Sequence, residues 1–582
     1  MAQEDVLRPA HELYTSHVEK GVSGGLAEEL WGRIPATMGK AYALLEGVRT
    51  QYGEASDSLE ELKRAMNSNL RRLGVLTSHV SENIDRLEQG VVETGQQPNA
   101  IGGPSLVLNK IAYAKSLSGM GDEGYVPLFY VADYDGVQPE LINTRVPSPS
   151  ARGVLISYPT SPEEEGVPIH EIRNPSEAWL GQTLEKLTSN YRGLLNGVDV
   201  RLRERALMNL DHAITVLKGA YYSTENVSDW STKVIGSIVN LEADLGVPIL
   251  SHSMPGTRHI FQGGYEILLA DSNRESFIEA SNRAAGRVEE SGHRPGIGLR
   301  EADYVPFFYE CQTPGCQRRR VELGYRRDAG SSTASVEGKC PKCGAFYEFS
   351  FNAGSPDLSD IIESITPRVD SRQVIVDSVL PILAHIGGPG ETSYYSEVIP
   401  AAKAIGLPFP VFLRYTRLFY NTPWNEGYAG GLKRLGYRSL ADEKLFGALS
   451  GWVQARNEGD PEGLKEAHMA IRSCVESTDI ELRDVLDGLN SEIAGIKQKL
   501  SSSEDRAALI AEMRGKQARA QEVEVYLSSA LGRFSPERFG QEVSWAWLDV
   551  AVVSGMRDLM GVFMRQYNGH TPNSSMFYAN LG

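Results

Sequence analysis

The sequence predicts an α/β protein whose core is a parallel sheet built in two halves. Three observations carry that expectation. Val91-Val92 opens a short apolar run into Thr94-Gly95-Gln96-Gln97. Gly102-Gly103-Pro104 then starts a helix carrying Leu106, Val107, Ile111 and Ala114, and Val126–Val131 follows as a second strand. Strand, loop, helix and strand within about 45 residues form a βαβ unit, with proline in its favoured first-turn position. A second such stretch begins near Arg372. It has Val374-Ile375-Val376, a helix or loop through Leu383, the run His385-Ile386-Gly387-Gly388-Pro389-Gly390-Glu391, a helix, and Pro410-Val411-Phe412-Leu413 as another strand. Third, Val126–Val131 is apolar almost without interruption, which suits a parallel strand buried on both faces.

The other elements follow in order. Residues 1–88 read as an N-terminal helical region, with Leu59, Leu62, Ala65, Met66, Leu70 and Leu73 on one amphipathic face and Gly90 as a stop. The first half of the core spans 89–150. Residues 151–368 read as an inserted connective region with helices around 176–218 and 228–245, then short strands and a cysteine segment at 307–351. The second half of the core spans 369–440. Residues 441–582 turn helical and charged: Val475, Thr478, Leu482, Val485, Leu489, Ile493, Ile496 and Leu500 keep coiled-coil spacing. Ser501-Ser502-Ser503 breaks that spacing and Leu509 and Met513 resume it, so 464–531 is expected to form an antiparallel helical hairpin.

The length of 582 residues fits roughly two to four folding units. Hydrophobic residues are 41% and charged residues 23%, which excludes a disordered chain. No run approaches the roughly 18 apolar residues of a membrane span. Met1–Glu12 carries Glu4, Asp5 and Glu12 and lacks the apolar centre of a secretory signal, so the expected location is the cytoplasm. The net charge of −17, from 58 basic and 75 acidic residues, argues against a nucleic-acid coat, which needs a basic field.

The five cysteines divide four and one. Cys311-x4-Cys316 and Cys340-x2-Cys343 are separated by 23 residues. Zinc takes four tetrahedral thiolate or imidazole ligands, and two close pairs on two hairpin tips supply them. Cys340-Pro341-Lys342-Cys343-Gly344 reads as a knuckle whose glycine permits the tight turn, and Pro314-Gly315 precedes Cys316. Four protein ligands leave no open position, so the expected zinc ribbon is structural. Cys474, beside Val475, reads as a small buried residue. Arg318-Arg319-Arg320 and Arg326-Arg327 lie between the knuckles; they read as a solvated hairpin face, or else as a contact for RNA or a phosphate-bearing substrate.

The loop from Gly95 to Pro104 and the run from His385 to Glu391 each follow a strand and precede a helix. Amides at such helix starts attract phosphate or carboxylate, and Lys110 lies along the first helix. Ligands of open α/β sheets bind outside the strand carboxyl ends where strand order reverses, so one shared cleft is expected.

These residues also carry a resemblance. Asn83-Ile84-Asp85-Arg86-Leu87, Val91-Val92-Glu93-Thr94-Gly95-Gln96-Gln97 and Gly103-Pro104 with Lys110 resemble the N-I-x-R-L, V-V-x-T-G-Q-Q and G-P-x-x-x-x-x-K stretches of the BshC family of bacillithiol biosynthesis. Pro127–Ala132 resembles the family's next strand. Pro367–Pro381, His385–Tyr394 and Gly406–Val411 match its later motifs in order, so the resemblance covers about residues 83–415. There are departures. The family's E-D-H-D is Asp133-Tyr134-Asp135-Gly136, without the histidine. Pro98-Asn99 replaces alanine-glycine, His385 replaces a tyrosine, and the cysteine ribbon looks like an insertion.

The resemblance implies a Rossmann-like core of the class I aminoacyl-tRNA-synthetase type, with inserted connective domains and a C-terminal coiled coil that pairs subunits into a homodimer. It implies a ligase that adds cysteine to glucosaminyl malate or a related amine, drawing on ATP and magnesium to activate the carboxylate. By motif position, Gln96, Gln97, Asn99, Gly103 and Pro104 would cradle nucleotide or malate oxygens, with Lys110 adding positive charge. Asp133 and Asp135 would hold the cysteine ammonium, a hydroxyl or magnesium. Arg372, Asp377, Glu391 and Tyr394 would complete the cleft, with Gly387, Gly388 and Pro389 shaping its backbone. Asp133, Asp135, His385 and Glu391 are the candidates for catalysis. Each has a plainer role open to it: an Arg372–Asp377 ion pair, a Tyr394 packed on its helix, a His385 hydrogen-bonded beside the glycine turn. Two other functions stand beside this one: a ligase or nucleotidyltransferase of the same fold with another amino acid or acceptor, and a non-catalytic RNA-associated protein.

Overall fold

The computed structural model describes residues 7–581 apart from 22–23, 54–55, 123, 138–142, 149–153, 328–329, 441–442, 503 and 528–544. Helix α1 (Asp57–Leu73) buries Leu59, Leu62, Met66, Leu70 and Leu73 as one stripe. The Ser56 side chain caps its start by accepting from the Leu59 amide, and Gly74 closes it at φ 71°. Strand β1 (Val91–Gln96), helix α2 (Leu106–Ser118) and strand β2 (Val126–Val131) form the expected unit. Helix α3 (Val227–Gly236) and strand β3 (Ile249–Ser251) follow within the inserted region.

The cysteine segment is built from β4 (Phe307–Glu310), β5 (Arg320–Glu322), β6 (Gly324–Arg327), β7 (Thr333–Lys339), β8 (Phe346–Asn352) and β9 (Ile365–Pro367). These make two small antiparallel sheets, ordered β9-β4-β5 and β6-β7-β8. The second half of the core holds α4 (Arg372–Asp377), β10 (Ile382–Gly387), α5 (Pro389–Ala404) and β11 (Val411–Arg414).

The central sheet runs β11-β10-β1-β2-β3 and every pairing in it is parallel. The chain builds outward from β1 to β3, then returns to the other side of β1, so strand order reverses between β1 and β10. That reversal puts the two glycine loops side by side. The register sets Glu93 directly across from His385 and Thr94 across from Ile386. Because side chains alternate along a strand, Glu93 and Gly95 share one face with His385 and Gly387.

Two expectations need correction. Val374–Val376 is helical, within α4, and the strand of this half is Ile382–Gly387, which contains His385 itself. Arg372 to Val376 are all buried, and a short run buried all round has no periodicity to separate helix from strand. The inserted region is also not wholly outside the core, since β3 supplies the sheet's fifth strand.

Beyond the core, β12 (Arg417–Asn421) leads to α6 (Pro461–Lys499) and α7 (Arg506–Tyr526). The two helices pack through Leu489, Ile493 and Ala520, with Lys516 Nζ 2.6 Å from Glu492. The last four residues of the expected hairpin, 528–531, lie outside the described residues. The region from 441 does not stay helical to its end. Strand β13 (Met576–Asn580) pairs in parallel with β12, and the fully buried Trp547 donates its indole N–H to the Ile101 carbonyl at 3.0 Å. Cys474 is partly exposed rather than buried.

Candidate functional site

A chain of buried charges joins the two halves of the sheet at the strand ends. The Arg372 guanidinium, at the start of α4, donates to Glu93 Oε1 at 2.6 Å. Glu93 Oε2 lies 2.9 Å from His385 Nδ1, and His385 Nε2 lies 3.3 Å from Glu391 Oε1. Glu391 Oε2 accepts from Lys110 Nζ at 2.7 Å and from the Gly388 amide at 2.6 Å. Lys110 also donates to the Gly95 carbonyl at 2.6 Å. The array therefore alternates cation, carboxylate, imidazole, carboxylate, cation. Glu93 and His385 are fully buried, and the His385 ring stacks on Tyr395 with centroids 4.9 Å apart.

The electrostatics follow from this alternation. Burial alone would raise the Glu93 carboxyl, yet the charge of Arg372 and the hydrogen bond from His385 bring it down to about 2. Burial opposes ionisation of Glu391 in the same way, and Lys110 with His385 holds it far below the usual carboxylate range. Gly387 is required by close approach: a Cβ there would lie 2.8 Å from the Phe412 ring and 3.0 Å from Glu391 Cβ.

Among the partly exposed residues of this region are Gln96, Gln97, Asp135, Pro389, Glu391 and Tyr394, beside the exposed Gly390. Gln97 Nε2 donates to Asp135 Oδ2 at 2.9 Å. Burial raises the Tyr394 hydroxyl well above its usual range, and the charges of both Glu391 and Asp135 act in the same direction. Residues from the first loop, the end of β2 and the start of α5 thus converge on one face.

Other expected site residues lie elsewhere. Asn99, Gly103 and Pro104 are buried, and the Ser105 amide donates to the Trp545 carbonyl at 2.9 Å. The start of α2 is covered by the returning C-terminal segment, so it is not an open anion cradle. Lys110 is 1% exposed and already neutralised by Glu391. Asp133 is fully buried and accepts from the hydroxyls of Ser228 at 2.8 Å, Ser251 at 2.5 Å and Ser253, and from the Ser253 amide at 3.2 Å. It is spent on protein partners. Asp377 pairs with Gln373 Nε2 at 2.7 Å, not with Arg372, and burial raises its carboxyl well above the usual value. Glu93, Gln373 and Tyr395 went unnoticed in the sequence. Of these, only Glu93 left a signal, as a carboxylate inside an apolar strand.

The four clustered cysteines meet. Their sulfur atoms all lie within 4.8 Å of one another, a spacing that could hold a metal ion, and Cys311 Sγ is 3.7 Å from Cys343 Sγ. Cys311 and Cys316 sit at the tip of the β4–β5 hairpin and Cys340 and Cys343 at the tip of β7–β8. Gly315 and Gly344 adopt φ 83° and 74° at the two turns. The arginines between the knuckles do not form one solvated face. Arg318 Nε donates to the buried Glu310 at 2.6 Å, and Arg320 Nη1 donates to Asp135 at 3.1 Å.

A family model described as bacillithiol biosynthesis BshC, N-terminal Rossmann-like domain, matches residues 41–415. A Carboxydothermus hydrogenoformans protein named "Putative cysteine ligase BshC" is 23% identical over 355 residues, covering 59% of this chain and 58% of that protein. Proteins of the same name from Thermus thermophilus and Bacillus cereus are 24% and 22% identical over 364 and 339 residues. The alignments cover 61% and 56% of this chain, and 62% and 56% of those proteins. The chain spans little more than half the length of the curated relatives it matches. The matched stretch contains both strands at the reversal, both glycine loops and the charge array between them, and the chain belongs to the BshC family of bacillithiol biosynthesis.

Proposed function

We propose that the protein is a ligase that joins cysteine to the amine of glucosaminyl malate or a related amino-sugar conjugate, completing a bacillithiol-type thiol. The observation that carries this reading is the proximity of Gln97, Asp135, Glu391 and Tyr394 where strand order reverses, within the stretch matched by the family. A free carboxylate is a poor electrophile, so the cysteine carboxylate must first be activated. ATP with magnesium would do this by transferring adenylyl to the carboxylate with loss of pyrophosphate. Attack by the sugar amine would then form the amide and expel AMP.

The chain's own residues would orient the reactants and stabilise charge. Glu391 is held ionised by Lys110, which makes it a weak base. With its oxygens on Lys110, the Gly388 amide and His385, it would set the charge of the site, and its partly exposed edge would be what faces the cysteine ammonium or magnesium. Asp135 and Gln97 would bind the acceptor. His385 has no exposed surface and would act by fixing Glu391 rather than by touching substrate. The engagement of Arg318 and Arg320 inside the protein weighs against an RNA-binding ribbon.

The purified protein, incubated with ATP, magnesium, L-cysteine and glucosaminyl malate, is expected to yield bacillithiol and AMP by mass spectrometry. Glu391→Gln should lower kcat/KM by about 10²-fold or more. No product from the wild-type protein, together with an unchanged thiol profile in cells lacking it, would reject the reading.

Three further assignments belong with it. The four cysteines would hold one structural zinc. The protein would work in the cytoplasm; among the described residues no helix is long and apolar enough to cross a membrane. The α6–α7 hairpin would pair two subunits as a coiled coil, since it leaves Met469, Ile480 and Ile510 exposed. Sedimentation at micromolar concentration is expected to give twice the chain mass of 63.9 kDa, and a monomer would reject the pairing.

A further inference from the structure

We infer that Arg320 is a positioning residue that couples metal binding at the four cysteines to the arrangement of Asp135 and Gln97 beside the strand-order reversal. The hairpin that carries one cysteine pair on its tip also delivers this arginine. Cys316 and Arg320 are joined through a tight turn in which the Arg319 amide donates to the Cys316 carbonyl at 3.1 Å and the Cys311 amide to the Arg319 carbonyl at 2.9 Å. Within that turn Gln317 and Arg318 adopt φ 51° and 49°, a left-handed conformation that side chains other than glycine's take only when their surroundings impose it. A thiolate–metal bond at Cys316, which immediately precedes the pair, would anchor the start of that turn.

The far end of the turn is equally specific. The Arg320 amide donates to the Gly166 carbonyl at 3.0 Å, and its guanidinium lies over the Phe308 ring at 4.1 Å. Its Nη1 then reaches Asp135 Oδ1 at 3.1 Å while Gln97 Nε2 holds the other carboxylate oxygen at 2.9 Å. The Asp135 carbonyl in turn accepts the Ile169 amide at 2.9 Å. Asp135 is thus oriented from two sides, one belonging to the first glycine loop and one to the cysteine hairpin. With the metal gone, the turn keeps its own hydrogen bond and the Arg318–Glu310 contact but loses its anchor at Cys316. Arg320 then shifts, and Asp135 and Gln97 lose the geometry that its guanidinium imposes. The coupling rests on metal occupancy of the cysteines, and its consequence for turnover rests on the proposed function.

Hydrogen–deuterium exchange on the full chain tests the coupling without any need for turnover. Stripping zinc from the wild-type protein with a chelator should speed exchange in peptides covering Gln96–Gly103 and Val167–Glu171 about tenfold. Zinc-loaded Arg320→Ala should already show that faster exchange and gain nothing further from the chelator. Arg320→Lys, which keeps the charge, should recover most of the protection and the zinc response. Asp135→Asn should copy Arg320→Ala, with the double variant no worse than either. Should Arg320→Ala not fold, Arg320→Gln serves the same comparison. The inference is overturned if the chain binds no zinc, if stripping leaves these peptides protected, or if stripping acts equally on wild type and the Arg320 variant. A protein that shows the zinc response but makes no bacillithiol would reject the ligase reading and keep the coupling.

Discussion

Replacing Glu93 by glutamine is expected to destabilise the protein by about 3–5 kcal/mol, read as a lowered urea midpoint. Glutamine keeps the volume of the side chain but removes its charge. Arg372, only 6% exposed, would then carry an uncompensated positive charge in the core, faced among the described contacts only by the neutral amide oxygen of the glutamine and the Tyr395 hydroxyl at 3.2 Å. His385 would lose the acceptor that fixes its ring on one side, leaving Glu391 as the sole carboxylate beside it. Glu391→Gln should cost less, because Lys110 retains the Gly95 carbonyl and Glu391 is partly solvated, at 19% side-chain exposure. An equal loss in the two variants would show that the array acts as one unit rather than as two pairs.

The same residue sets a pH dependence. The Glu93 carboxyl lies at about 2 in the folded protein against 4.5 as its ordinary value. A group whose folded value is depressed stabilises the fold above its unfolded value, and that stabilisation fades as pH falls through the folded one. The difference is worth about 3 kcal/mol, in line with the mutational expectation. Wild type should lose stability steeply from about pH 5 towards pH 2, whereas Glu93→Gln should fall less over that interval. The gap between the two should therefore narrow with acid. Parallel curves would mean that Glu93 takes up its proton over the same pH range in the folded and unfolded chain.

What the sequence made legible was local. β1, α2 and β2 could be read because an apolar run, a glycine loop and a proline-started helix lie within one short stretch. The cysteine cluster could be read because each pair sits on a single turn. What it hid depends on distant partners. Nothing near Pro104 signals that Trp545 and Trp547, over 400 residues away, cover the loop and take the Ser105 amide and the Ile101 carbonyl. Arg372 looked equally able to pair with Asp377, five residues on. Its actual partner, Glu93, comes from a strand that only the doubly wound order brings close. Glu93 was nevertheless visible as an anomaly, since a carboxylate in a strand buried on both faces requires a cation or an imidazole beside it.

Replacing Cys340 by serine is expected to abolish stoichiometric zinc, taking the protein from about one ion per chain to near none by elemental analysis. The two hairpin tips belong to different small sheets and meet through the sulfurs and a few side-chain contacts. Those contacts include the Tyr347 hydroxyl, 3.1 Å from Cys311 Sγ and 3.2 Å from the Gln312 amide, the Lys342 ammonium donating to the Gly315 carbonyl at 2.9 Å, and the Tyr309 ring against Tyr347 and Phe349. A structural zinc site in small domains contributes on the order of 10 kcal/mol to folding, more than these few surface contacts can replace. Loss of one thiolate should therefore free the 311–343 segment while the parallel sheet stays intact, because none of the sheet's five strands lies in that segment. Limited trypsin digestion should cut the variant first at the exposed Lys342 and near Arg326 and Arg327, with far-ultraviolet dichroism almost unchanged. Zinc retained by Cys340→Ser at one ion per chain would place the metal on other ligands, and simultaneous loss of the whole fold would show that the ribbon and sheet unfold as one unit.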